Sequence, residues 1–153
     1  MRHDLDKSDH AILRNLQRDA MLSMDALAEV VHLSRNAVWR RVKALEEAGI
    51  IKSRVALVDA DKIGLGLQVF VMIKAGAHEP GWLEKFHSAV RIMPQIVGAH
   101  RMSGDLDYVL RVRVASVKDY DRFYQDLIRR VPIADVSASF VMDDIKDTTE
   151  LPL

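Results

Sequence analysis

The second half of the chain repeats itself, and this repeat limits its fold more than any other sequence feature. "GWLEKFHSAVRIMP" and "KDYDRFYQDLIRRVP" align position by position: Trp82 with Tyr120, Phe86 with Tyr124, Ala89 with Leu127, Val90 with Ile128, Met93 with Val131 and Pro94 with Pro132. Apolar residues at i, i+4, i+7, i+8 and i+11 form the buried stripe of an amphipathic helix. Each proline ends its helix, since it lacks the amide that the next turn needs. Strand-like runs precede both helices, "LQVFVMIKA" and "DYVLRVRVA", with Phe70 matched to Tyr108 and Val71 to Val109. "IVGAHRM" and "DVSASFVM" follow them. Two strand–helix–strand units predict a βαββαβ domain, a four-stranded antiparallel sheet with both helices on one face.

The first sixty residues have a different pattern. Asp6 can cap a helix carrying Ile12, Leu13 and Leu16, with Asp9 in its first turn. Ser23 caps a shorter helix that buries Leu27, Ala28 and Val31, and Ser34 caps a third that ends before Gly49. So short a turn at "HLS" forces the second and third helices to cross steeply, which predicts a helix-turn-helix. "IIKSRVALV" after Gly49 predicts a β-ribbon, the wing of a winged helix-turn-helix. The overall class is therefore α+β: a DNA-binding domain over 1–60, a wing and hinge over about 50–66, and a ferredoxin-like domain over 67–153.

Charge distribution points to a partner for the third helix. The chain has no net charge, which argues against indiscriminate coating of nucleic acid, yet residues 34–54 carry six basic side chains against Glu46 and Glu47. At about 100° per residue, Val38, Val42 and Leu45 face inward, so Asn36, Arg40 and Lys43 face outward with Trp39 on the flank. Arg35 occupies the first turn, where an inserted helix meets base edges or phosphate. Arginine matches guanine, asparagine matches adenine and lysine serves phosphate. Lys52 and Arg54 can touch the backbone from the wing. A solvated charged face with Trp39 packed on a loop explains the same residues less fully. Arg41 falls beside the buried arc, which predicts packing or an intramolecular ion pair instead.

Catalysis finds no support. There is no cysteine, which removes disulfides, thiolate metal sites and cysteine nucleophiles and fits a reducing cytoplasm. The histidines His3, His10, His32, His78, His87 and His100 lack metal-ligand spacing, so neither a metal nor a catalytic residue is expected. "MRHDLDKSDH" has no apolar core and thus no signal-peptide character. No apolar run approaches the roughly 20 residues that span a bilayer.

Two features suggest partners for the second domain. Val69, Phe70, Val71, Met72 and Ile73 are consecutive, so alternation leaves apolar residues on the sheet face that the helices do not cover. A second subunit packed there is the simplest cover, and two symmetric heads match a palindromic duplex site. In "HRMSGDLDYVL", Gly104 allows a tight turn, while Asp105 and Asp107 gather negative charge that suits an ammonium group. Ser137 and Ser139 share one face of the last strand. From the residues alone, a solvated hairpin with ordinary strand serines accounts for them better than a ligand site does.

Taken together, "LDKSDHAILRNLQRDAMLSMDALAEVVHLSRNAVWRRVKALEEAGII", "SGDLDYVLRVRV" and "FVMDDIKDTTELPL" resemble the Lrp/AsnC (feast/famine) transcriptional regulators over nearly the whole chain. The resemblance implies a ligand-responsive RAM domain that dimerises through its sheet, with dimers assembling further to tetramers or octamers. It implies double-stranded DNA as partner and an amino acid as effector, with no cofactor. The effector site it implies is Gly104, Asp105, Leu106, Asp107 and Tyr108, with Ser137 and Ser139 opposite and Asp107 holding the ammonium. The last strand, "VSASF", is smaller and less polar than in many members, which points to a different effector, such as an apolar one, or to none at all. The alternative is an architectural DNA-organising protein with no effector.

Overall fold

The computed structural model describes residues 4–75 and 81–153, so His3 and His78 lie outside the described residues. The chain forms two compact units, Met1–Leu57 with Lys146–Leu153, and Val58–Ile145. The closing eight residues thus group with the first unit, whereas the sequence reading ran the second domain to 153.

The first unit holds α1 (Lys7–Arg18), α2 (Met24–Val30) and α3 (Arg35–Glu47). Reciprocal capping starts α1: Asp6 Oδ1 accepts from the Asp9 amide at 2.9 Å, and Asp9 Oδ2 accepts from the Asp6 amide at 3.2 Å. Ser23 and Ser34 cap α2 and α3 by accepting from the amides of Ala26 and Ala37. His32 takes a left-handed φ of 55° between α2 and α3, and the Leu33 amide donates back to the Ala28 carbonyl at 3.0 Å. Gly49, at φ 70°, lets the amide of Ile50 reach the Leu45 carbonyl and ends α3. The three helices close on Ile12, Leu13, Leu16, Leu27, Ala28, Val38, Val42 and Leu45.

The expected ribbon does not form a ladder. Residues 52–59 carry no strand, and Val55, Leu57 and Val58 are exposed. A two-stranded ribbon with no face to bury is marginal in water.

The second unit runs β1 (Leu67–Lys74), α4 (Trp82–Ile92), β2 (Ile96–Arg101), β3 (Tyr108–Val114), α5 (Val117–Arg130) and β4 (Asp135–Phe140). The strands make one antiparallel sheet in the order β2-β3-β1-β4. Val69, Val71 and Ile73 of β1 and Leu110, Val112 and Val114 of β3 pack with Phe86, Ala89, Phe123 and Leu127 of the helices. The βαββαβ expectation holds.

The repeat is looser than the sequence alignment suggests. Phe70 is exposed and lies on the open face, while its expected counterpart Tyr108 is buried on the helix side. Val71 and Val109 are likewise on opposite faces, because Val71 pairs with Leu110 in the register. The strand-to-helix connections, 75–81 and 115–116, differ by an odd number of residues, and side chains alternate with period two. In α5 the buried aromatic is Phe123 rather than Tyr124, which is half-buried.

Candidate nucleic-acid interface and ligand loop

The outer face of α3 follows from its inner one. Val38, Val42 and Leu45 are each at most 4% exposed, so the helix cannot rotate without removing them from the core. That fixes Asn36, Trp39, Arg40 and Lys43 in solvent, with Trp39 56% exposed. An indole left this open has no packing task within its own unit. Lys43 Nζ stands 5.2 Å from the Trp39 ring centroid and 3.7 Å from Glu47 Oε1. Arg35 Nε meets Asp25 Oδ1 at 3.2 Å, and Arg54 Nη2 meets Glu46 Oε1 at 2.9 Å. All these pairs are solvent-exposed and weak, so a phosphate can replace the carboxylate at little cost. Arg40 and Lys52 are exposed and have no carboxylate in ion-pair range among the described residues.

Arg41 does what its angle predicted. Its Nη1 lies 2.8 Å from both Asp6 Oδ2 and Asp9 Oδ1, tying α3 to the N-terminus of α1. The amide of Asp9 and then Arg41 hold the Asp6 carboxyl below its usual range, and the two carboxylates raise Arg41 further.

In the second unit the loop between β2 and β3 is closed by the Met102 amide donating to the Asp107 carbonyl at 2.8 Å. Gly104 sits at φ 116°, a conformation that a side chain would strain. Asp105 is exposed and Leu106 half-buried. Asp107 is more occupied than the sequence indicates: its Oδ2 accepts from the Ala75 amide at 2.7 Å, and its own amide donates to the Ile73 carbonyl at 3.0 Å. One carboxylate oxygen therefore holds the end of β1.

The remaining expected site residues divide between the two sides of the sheet. Ser137 and Ser139 pair with Met72 and Phe70 and lie on the open face. Tyr108 faces the helices, 8% exposed, with its ring 4.5 Å from Phe86 and 5.7 Å from Trp82. It borders a cavity of about 390 Å³ between α4 and β2, which Phe86, His87, Arg91, His100 and Arg101 also line. Sequence reasoning did not find this cavity. Its basic residues come from two elements whose contact no periodicity reveals. No cluster of metal-binding side chains occurs among the described residues. Nor is any helix among them long and apolar enough to cross a membrane.

The family described as winged helix-turn-helix DNA-binding matches residues 5–52, and the Lrp/AsnC ligand binding domain matches residues 68–151. The DNA-binding transcriptional activator DecR of Escherichia coli is 48% identical, over 97% of this chain and 99% of its own. A crystal structure of an AsnC family transcriptional regulator from Agrobacterium tumefaciens superposes with a TM-score of 0.93 at 45% identity, covering 97% of each chain. The transcriptional regulator NMB0573 of Neisseria meningitidis, solved as an L-Met complex, superposes at 0.92 with 34% identity, covering 97% of this chain and 96% of its own.

Proposed function

Because the chain belongs to the Lrp/AsnC family of transcriptional regulators, we propose that it binds a specific duplex site through the outer face of α3 and that an amino acid modulates this binding. It is a DNA-binding regulator, not an enzyme, and acting on DNA places it in the cytoplasm. The observation that carries the reading face is the fixed rotation of α3: a buried Val38–Val42–Leu45 stripe behind an exposed Asn36, Trp39, Arg40 and Lys43. Arg40 and Asn36 read base edges, Trp39 packs on sugar or a thymine methyl, and Arg35, Lys43, Lys52 and Arg54 contact phosphate.

The amino acid site we assign to Gly104, Asp105, Leu106 and Asp107, with Tyr108 behind them and Ser137 and Ser139 supplied across the open face. The oxygen of Asp107 not used by Ala75 takes the ammonium. Phe70, Met72 and Val109 on that face are covered by a second copy, giving a dimer from which tetramers or octamers are built. The solved L-Met complex of the meningococcal relative supports an amino acid as the ligand class.

The architectural reading has one observation in its favour, the structural use of Asp107. Fluorescence anisotropy on the DNA upstream of the protein's own gene, over a salt series and with each common amino acid, separates the two. Tight, salt-sensitive, selective binding that one amino acid shifts is the expected result. Selective binding that no amino acid alters favours the architectural protein.

A further inference from the structure

We propose that the outer face of α1 is a peptide-docking site whose ligand is the chain's own closing segment, Glu150–Leu153. Arg14, Gln17 and Arg18 stand at i, i+3 and i+4, so one face of the last helical turn presents all three. Gln17 makes the central contact. Its Nε2 donates to the Leu151 carbonyl at 3.2 Å, and its Oε1 accepts the Leu151 amide at 2.7 Å. This two-pronged grip reads an extended main chain, much as a neighbouring strand does. Arg18 Nε meets the Glu150 carboxylate at 3.3 Å on one side, and Arg14 Nη1 donates to the main-chain oxygen of Leu153 at 3.3 Å on the other. The site therefore selects an acidic residue followed by a main chain free to pair. Pro152 stiffens that main chain in advance, so less freedom is lost on docking.

These contacts are polar and lie at the surface, where water competes for every group. The Leu151 side chain remains 68% exposed, so apolar burial adds little. Docking is thus weak and reversible, and it persists because the segment is covalently held near its site. The chain passes from one compact unit to the other at 57–58 and returns at 145–146. The docking does not rest on the regulator reading.

Amide exchange on the full-length protein, without DNA or amino acid, tests the proposal. In wild type the Leu151 amide is expected to exchange at least tenfold more slowly than in a free peptide of residues 146–153. Gln17→Ala should restore the free-peptide rate while the amides of Ile12 and Leu13 stay protected, showing that α1 is intact. A free-peptide rate in wild type, or slow exchange persisting in Gln17→Ala, overturns the site. A second sample mixes Gln17→Ala chains with chains lacking 148–153. No protection of Leu151 there supports docking within one chain, while protection assigns the contact to a second copy and overturns that assignment. Failure of operator binding would undo the regulator reading and leave this exchange result standing.

Discussion

Arg41 follows Arg40 by one residue, about 100° further round the same helix, and the rotation sends the two guanidiniums to different tasks. Arg40 stays in solvent, while Arg41 turns back to Asp6 and Asp9. Arg40→Ala is expected to weaken specific binding by about 1–3 kcal/mol with no change in oligomeric state, as measured by anisotropy and light scattering. Equal affinity in the variant would disprove the assigned reading face. Asp6 predicts a pH dependence of definite sign. Its folded pKa lies below the ordinary 3.8, because the Asp9 amide and Arg41 favour the carboxylate. The stability this supplies is fully present above 3.8 and is lost as pH falls through the lower folded value. Denaturant midpoints between about pH 5 and pH 2 should fall less steeply in Asp6→Asn than in wild type. Parallel curves would remove Asp6 from the acid response.

At the scale of the element, α5 tests how the repeat was read. The sequence alignment buries Tyr124 and the structure buries Phe123 at 2% exposed. Phe123→Ala is expected to destabilise the sheet domain by about 3–5 kcal/mol, and Tyr124→Ala by about 1 kcal/mol. Urea unfolding followed by circular dichroism separates the two, and the reverse order would restore the sequence alignment. The loop between β2 and β3 calls for a gentler substitution than alanine. Asp107→Asn keeps an oxygen for the Ala75 amide while removing the negative charge. It is predicted to abolish the amino acid response and leave DNA affinity within about twofold, a loss too small to count as a lost contact. An undiminished response would exclude Asp107 as the ammonium partner.

For the whole molecule, the decisive surface is the open face of the sheet. Phe70 stands 37% exposed there beside Met72, which a solvated sheet face would replace with polar residues. Phe70→Lys is predicted to shift the protein to monomers in light scattering and to weaken binding to a two-fold symmetric site. Dimers that survive the change would place the subunit interface elsewhere.

For the three helices of the first unit the sequence by itself determined the order, the starts and the inward faces, because each depends on neighbours within a turn or two. Asp6, Ser23 and Ser34 cap the helices they were read to cap. Val38, Val42 and Leu45 are buried as their spacing requires. Only the tertiary structure decided what depends on partners distant in the chain. It turned Phe70 and Tyr108 to opposite faces, left the wing without a ladder and gave one oxygen of Asp107 to Ala75. It also brought Leu151 to Gln17, far apart in sequence. Periodicity reports which side of an element meets a core. Strand phase, spare hydrogen-bonding groups and the path of an extended segment are settled only when the elements pack, since their free energies are small and their partners non-local.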